Sequence, residues 1–146
     1  MSRRRSQRGQ TLVESAITLW VFLIFLFAIL EFGRAFNIYQ VLTNAAREGA
    51  RLSVAPQPGT STLPSTTTVT SMVCDFLNSA AIQCGGDDGA TVTVNQALVG
   101  GPTCPLVNGA SPVCTEVDVS APYQFIFFPF GTITLQTKAA MRNENN

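Results

Sequence analysis

The feature that most constrains this chain is an uncharged apolar run close to its N-terminus. Ser15–Leu30 contains no charged side chain, and Glu31 closes the run. As an α-helix the run would span roughly 24 Å, and adding Gln10–Val13 makes it long enough to cross a bilayer, with Glu14 near one interface. We therefore predict a single membrane-spanning helix over about residues 12–30.

Two other interpretations of the apolar run are weaker. A cleavable secretory signal would need a small-x-small site directly after the run, and Gly33–Ala35 is a poor candidate because Glu31 precedes it and the helical pattern continues. A buried core helix is the other alternative, although so continuous an apolar run is unusual for one. Four arginines precede the run, so the positive-inside rule places the N-terminus in the cytoplasm and the rest of the chain outside. These are Arg3, Arg4, Arg5 and Arg8.

Charge and composition narrow the function classes. The 146 residues include nine basic and nine acidic side chains, but four of the basic ones precede Gly9. The remaining five basic and nine acidic side chains give the rest of the chain a net charge of −4, so we expect no nucleic-acid partner. The absence of histidine removes the commonest metal ligand and the commonest general base. We therefore expect no enzymatic activity, no catalytic residue, no metal site and no cofactor.

The helical pattern continues beyond the apolar run. Between Glu31 and Ser53 apolar residues recur at close to 3.6-residue spacing, and Pro56 then interrupts the pattern. A continuous helix over residues 10–53 would be apolar on all sides in its first half and amphipathic in its second. We expect the Phe32–Tyr39 stripe to pack against the globular part of the same chain.

Small residues form a second pattern on the amphipathic half. Ala45 with Gly49, and Ala46 with Ala50, are small-xxx-small pairs that would let another backbone approach closely. We predict them as helix-packing residues. Packing against this chain's own globular part is the alternative to packing against another subunit.

The C-terminal part is predicted to be a small domain outside the membrane. Residues 54–68 are rich in proline, serine and threonine, which is typical of a linker, and residues 69–146 form the domain. Ser65 or Thr66 could cap a short helix. Alternating apolar residues predict an antiparallel sheet covered by the long helix, an α+β fold. The predicted strands are Ala90–Val99, Glu116–Phe128 and Thr132–Met141.

Four cysteines fall in this domain, and they allow three disulfide pairings. The two equal ten-residue intervals, with a turn-like sequence midway in the second, favour Cys74–Cys84 and Cys104–Cys114. A zinc site is the rival explanation, but the chain has neither CxxC spacing nor histidine. Disulfides would fit an oxidising compartment outside the cytoplasm.

A single acid inside the hydrophobic segment indicates a function for the helix. Glu14 lies five residues past Gly9, and a carboxylate within a membrane segment is costly and usually has a partner. If the chain is cut after Gly9, Gln10 gains a free ammonium group. A neighbouring subunit's Glu14 could pair with that ammonium when two helices lie side by side at the correct stagger.

Several motifs occur in an order that resembles the TadE family, the small pilin-like (pseudopilin) proteins of the tight-adherence, or Flp-type, pilus machinery. They are GQTLVESA at residues 9–16, the apolar run, EFGRAF at residues 31–36 and LTNAAREGAR at residues 42–51. The resemblance implies a type IV pilin-like fold. It also implies a class III leader, residues 1–9, removed by a membrane aspartic prepilin peptidase between Gly9 and Gln10. Glu14 would then be the position-five glutamate.

The resemblance also implies partners. They are other pilin-like subunits, the prepilin peptidase, an inner-membrane pilus assembly platform and the lipid bilayer. The subunit would join a type IV-like pilus at its base, tip or shaft and could reach the cell surface in it, consistent with cell adhesion. Ser15 departs from the family, which often has phenylalanine there, and the part from Val54 onward matches no family-wide pattern.

A different class of function stays open. The chain could be a single-pass, membrane-anchored binding domain that does not polymerise. The aromatic cluster at Phe125–Phe130 could then recognise a ligand, although we expect these side chains to belong to the core.

Overall fold

One long helix dominates the molecule, and a small sheet and a second helix pack on its C-terminal half. The computed structural model describes residues 3–56, 62–99, 104, 112–127 and 131–143. Helix α1 spans Arg3–Val54 and α2 spans Thr66–Ser79, and three strands follow: β1 (Thr91–Val99), β2 (Val113–Gln124) and β3 (Thr132–Arg142). The predicted α+β fold with a long N-terminal helix on an antiparallel sheet is confirmed. We call α2 and the three strands the head.

Helix α1 begins at Arg3, ahead of the predicted start at Gln10, and continues through Gly9 without a break. Arginine and glutamine are good helix formers, and no proline occurs before Pro56, so the basic segment extends the helix. The helix ends at Val54, where Pro56 disfavours helical backbone in the residue before it. The division into leader, helix, linker and head therefore has no backbone boundary at Gly9 and stays a prediction.

Helix α2 begins inside the segment predicted as a linker. Ser65 caps it, its hydroxyl accepting a hydrogen bond of 3.2 Å from the backbone N–H of Thr68. One face of α2 is buried through Val69, Val73 and Leu77. Residues 57–61 lie outside the described residues, and the linker stays a prediction.

The sheet is antiparallel in the order β1-β2-β3, with β2 in the centre. Val94 pairs with Val117 on one side, and Val117 pairs with Ala139 on the other. Strand β2 ends at Gln124, so the prediction that it continues through Phe125–Phe127 is wrong, and Phe128 lies outside the described residues. The physical reason is that the N–H of Ile126 donates to the side chain of Glu31 on α1 and not to a neighbouring strand.

The core lies between α1, α2 and β2. Apart from Leu42, its buried α1 residues are alanines, because the backbones approach closely there. A Cβ atom added at Gly49 would lie 2.5 Å from Val73 Cγ2 and 3.3 Å from Val117 Cγ1. The small-residue pattern thus packs against this chain's own head. The buried core residues of α1 are Leu42, Ala45, Ala46 and Ala50, and those of β2 are Val117, Val119 and Ala121.

The large residues of the amphipathic half behave differently from the prediction. Phe32, Phe36 and Tyr39 are 73%, 52% and 44% exposed, so the expectation that this stripe packs against the head is wrong. Phe32 and Phe36 instead stack on each other, with ring centroids 6.2 Å apart. The head occupies the face with the small side chains, where it can come closer to the helix axis.

Disulfides join Cys74 to Cys84 and Cys104 to Cys114, the pairing favoured by the ten-residue spacing. The first connects α2 to the turn that follows it. The second holds Cys104 against the first residues of β2. Each closes a short loop on the head, where a bridge typically contributes about 2–4 kcal/mol.

Candidate assembly helix and its junction with the head

The N-terminal half of α1 has no protein cover. Within the described residues α1 is the one helix long and apolar enough to cross a membrane, and none of its most apolar 18-residue window is buried in the structure. Large side chains such as Trp20, Phe22 and Phe25 point into solvent along it. A helix that is apolar on all sides needs a nonpolar environment, which a bilayer or neighbouring helices would supply.

Glu14 lies on this uncovered surface. A shallow groove beside it is lined by Ser15, Thr18, Leu19 and Phe22. The Thr18 hydroxyl donates a 2.9 Å hydrogen bond to the backbone carbonyl of Glu14 and not to its carboxylate. In the part of the chain that the structure describes, no hydrogen bond or ion pair reaches that carboxylate. The side chain is therefore available to a partner outside this chain.

The predicted processing site lies on the same surface. Gly9 and Gln10 are both exposed on α1, and nothing lies within 4 Å of a Cβ atom added at Gly9. Glycine inside a helix costs about 1 kcal/mol relative to alanine, so α1 is locally weakened at this bond. Gln10 and Glu14 are four residues apart and share one face of the helix.

At the other end of the apolar run the structure builds a polar cluster that sequence reasoning missed. Glu31, only 4% exposed, accepts hydrogen bonds from the Tyr123 hydroxyl at 2.6 Å and from the Ile126 N–H at 3.2 Å. Arg34 forms an ion pair with the same carboxylate at 3.0 Å and donates to the Gln124 carbonyl at 3.0 Å. These five residues, the junction cluster, attach the end of β2 to α1.

The junction cluster holds Tyr123 in its neutral form. Burial, together with the hydrogen bond to Glu31, raises the pKa of the Tyr123 hydroxyl above its ordinary value. The guanidinium of Arg34 lies 4.8 Å from the centre of the Tyr123 ring, a cation–π geometry. The sequence contained one usable signal, since Glu31 and Arg34 are spaced to pair on a helix.

The exposed face of α1 beyond the junction forms a second candidate surface. Phe36 and Tyr39 border a shallow groove that also includes Gln40, Asn44 and Arg47. We call Phe32, Phe36 and Tyr39 the outer aromatic face. Aromatic side chains with adjacent polar groups are typical of protein–protein contacts.

Comparison with known protein families gives a match that lies entirely within α1. A family model described as TadE-like protein matches residues 9–51. The resemblance inferred from the sequence is thereby confirmed over α1, the segment that carries Gly9, Gln10, Glu14 and the junction residues Glu31 and Arg34. No curated protein and no solved structure gives a match. The TadE-like match suggests a protein associated with a tight-adherence pilus system.

Proposed function

We propose that this protein is a pilin-like structural subunit, with no catalytic role, of a tight-adherence type pilus. In this proposal α1 holds the subunit in the cytoplasmic membrane with the N-terminus inside and the head outside. A prepilin peptidase removes residues 1–9, and the subunit then enters the pilus through α1 by way of an inner-membrane assembly platform. The TadE-like match over residues 9–51 supports the pilus context.

The observation that carries the proposal is the position of Glu14. It is an acid without a described partner on an otherwise apolar, uncovered helix surface, one helical turn beyond Gln10. Cleavage after Gly9 would create an ammonium group at Gln10. A second subunit displaced by on the order of 6 Å along the helix axis, four residues of rise, would bring its ammonium level with Glu14.

This pairing explains why the acid is retained at a cost. An unpaired carboxylate is unfavourable in the hydrocarbon region, and a cation beside it removes much of that penalty. A subunit assembled with its neighbour would thus have a lower free energy than the same subunit alone in the membrane. The stagger at which the two charges meet would also fix the register between neighbouring helices.

The outer aromatic face gives the helix a further surface for assembly. It lies on α1 away from the small-residue face that the head covers, so a neighbouring subunit can reach it without displacing the head. Adjacent exposed apolar side chains as large as Phe32 and Phe36 are typical of a surface that contacts another molecule. Contact between subunits would bury them.

The experiment compares surface filaments from cells that express Glu14→Ala, Glu14→Gln or Thr18→Ala. Thr18 is the matched control, because it lines the same groove one turn away and carries no charge. We expect membrane levels to be maintained in all three variants and filament incorporation to be lost only in the two Glu14 variants. Normal incorporation of Glu14→Ala would contradict the pairing mechanism. A chain that keeps Met1 and never leaves the membrane would favour the anchored binding domain instead.

A further inference from the structure

The segment directly after β2 turns back toward the membrane half of α1. The ring of Phe127 stacks on that of Phe27, with centroids 4.9 Å apart and planes inclined by 24°. Phe27 belongs to the apolar run and precedes Glu31 by four residues. Phe127 therefore lies beside the helix about 6 Å from the level of Glu31, on the membrane side, at four residues of about 1.5 Å each.

The side chains around this stack are apolar and open. Ile126 is 66% exposed and Phe127 is 48% exposed, and Phe27 and Leu30 on α1 are also exposed. Phe27 and Phe127 join these side chains into one surface that continues the apolar surface of the helix. Phe127 was expected to be core, so its exposure differs from the prediction for Phe125–Phe130, whereas Phe125 is half-buried with its ring 5.3 Å from that of Tyr123.

The polar groups of the same segment turn inward. The Ile126 N–H donates to Glu31 and the Gln124 carbonyl accepts from Arg34, so these two backbone groups next to the apolar surface are satisfied within the junction cluster. Non-helical backbone can lie at membrane depth only when its hydrogen-bonding groups are satisfied by protein. The junction cluster meets that condition for the Ile126 N–H and the Gln124 carbonyl.

We infer that Ile126 and Phe127 form a second membrane contact, inserting into the outer boundary of the bilayer that α1 crosses. The occupant of this surface is lipid, at the level where headgroups meet acyl chains. The depth of about 6 Å agrees with the 5–10 Å that interfacial apolar groups reach. The head is then held against the membrane surface at two points, and leaving the membrane requires releasing both.

This inference rests on the membrane-spanning role of α1 in the proposed function, and one experiment separates the two. The full chain is reconstituted into phosphatidylcholine vesicles whose acyl chains carry bromine at defined depths, which quench tryptophan fluorescence on contact. In the unmodified chain Trp20 reports on α1 itself. Phe127→Trp and Ile126→Trp, each combined with Trp20→Phe, report on the segment after β2. Because Ile126 is 66% exposed and Phe127 is 48% exposed, either substitution can be accommodated, and each serves as a check on the other.

We expect Trp20 to be quenched and the tryptophans at 126 and 127 to be quenched most strongly by bromine near the headgroup end, with a blue-shifted emission. Tyr39→Trp, also with Trp20→Phe, is the matched control, because Tyr39 is exposed on α1 about 18 Å beyond Phe27 along the helix axis, outside the membrane segment. It should respond to aqueous iodide and not to brominated lipid.

The contrary results are distinguishable. Quenching of Trp20 with no lipid quenching at 126 and 127 would overturn the second contact and leave α1 in the membrane. Shielding of those two tryptophans from both lipid and iodide would show that protein, such as a second copy, covers the surface, which also overturns the inference. Loss of quenching at Trp20 would overturn the membrane-spanning role itself.

Discussion

The hydroxyl of Tyr123, at the end of β2, donates a 2.6 Å hydrogen bond to the carboxylate of Glu31, where the apolar run of α1 ends. The two residues are 92 positions apart in the sequence, and both are buried. This bond fixes the head at one point along the helix. Because the same point marks the edge of the predicted membrane segment, the bond also sets how far the head stands from the bilayer.

Removing the Tyr123 hydroxyl should loosen the head on the helix. In Tyr123→Phe the buried Glu31 carboxylate loses a donor, and a hydrogen bond to a charged group contributes about 1.5–3 kcal/mol. We expect a fall of this order in the free energy of unfolding of the full chain in detergent micelles. The matched control is Glu48→Gln, which breaks the exposed Glu48–Arg51 pair, spaced i,i+3 like the Glu31–Arg34 pair of the junction cluster. Exposed pairs contribute little, so a comparable loss in the control would contradict a special role for the junction.

The same tyrosine predicts a pH dependence. Its pKa is raised in the folded protein, so the folded chain keeps the proton that the unfolded chain releases near pH 10. Deprotonation then favours the unfolded state, and stability should fall as the pH rises above about 10. Unfolding of the wild-type chain and of Tyr123→Phe, compared at about pH 9 and about pH 11, tests this. The loss should be larger for the wild type, and equal losses would refute the assignment.

Gly49 should not tolerate a side chain. A methyl group there meets Val73 Cγ2 at 2.5 Å in the buried core, and valine side chains have little rotamer freedom. We expect Gly49→Ala to destabilise the head by about 1–3 kcal/mol despite the better helix propensity of alanine. Adding Val73→Ala should restore part of the loss, as measured by a double-mutant cycle.

Gly33→Ala is the matched control for this prediction, because nothing lies within 4 Å of its added Cβ atom. It should leave stability unchanged or raise it by up to about 1 kcal/mol. If Gly33→Ala and Gly49→Ala changed stability equally, close packing of α1 on the head would not be the reason for glycine at position 49.

The outer aromatic face should matter for assembly and not for folding. Phe36→Gln changes a half-exposed residue outside the core, so the thermal unfolding temperature should stay close to that of the wild type while filament yield falls. Met72→Gln on α2, at similar exposure on the head, is the control and should assemble normally. Normal filament yield from Phe36→Gln would remove this face from the assembly surface.

Local patterns in the sequence were sufficient to predict the helices, strands and disulfides. They were insufficient to predict which faces of these elements contact one another. Three patterns among residues close in the sequence each predicted a feature that the structure contains. They are the 3.6-residue spacing of α1, the alternation in β2 and the ten-residue cysteine intervals. The same periodicity shows that α1 has apolar faces but not which of them the head covers. The choice depended on distance between backbones, since Gly49 and its small neighbours allow an approach that Phe36 prevents.

The junction cluster lay beyond such reasoning for a related reason. Glu31 finds Tyr123 and Ile126 only after the sheet has folded against the helix, and no local spacing encodes a contact across more than ninety residues. The Phe27–Phe127 stack depends on the same docking. By contrast, the predicted constellation of Gly9, Gln10 and Glu14 lies within two helical turns, so a local motif was sufficient to propose it.

The most direct test of the account is the intact mass and N-terminal sequence of this chain recovered from purified surface filaments. We predict a subunit that begins at Gln10, since only removal of residues 1–9 provides the amine that Glu14 requires. Filament subunits that still carry the arginine-rich segment would contradict it, because assembly would then have occurred without the proposed charge pair.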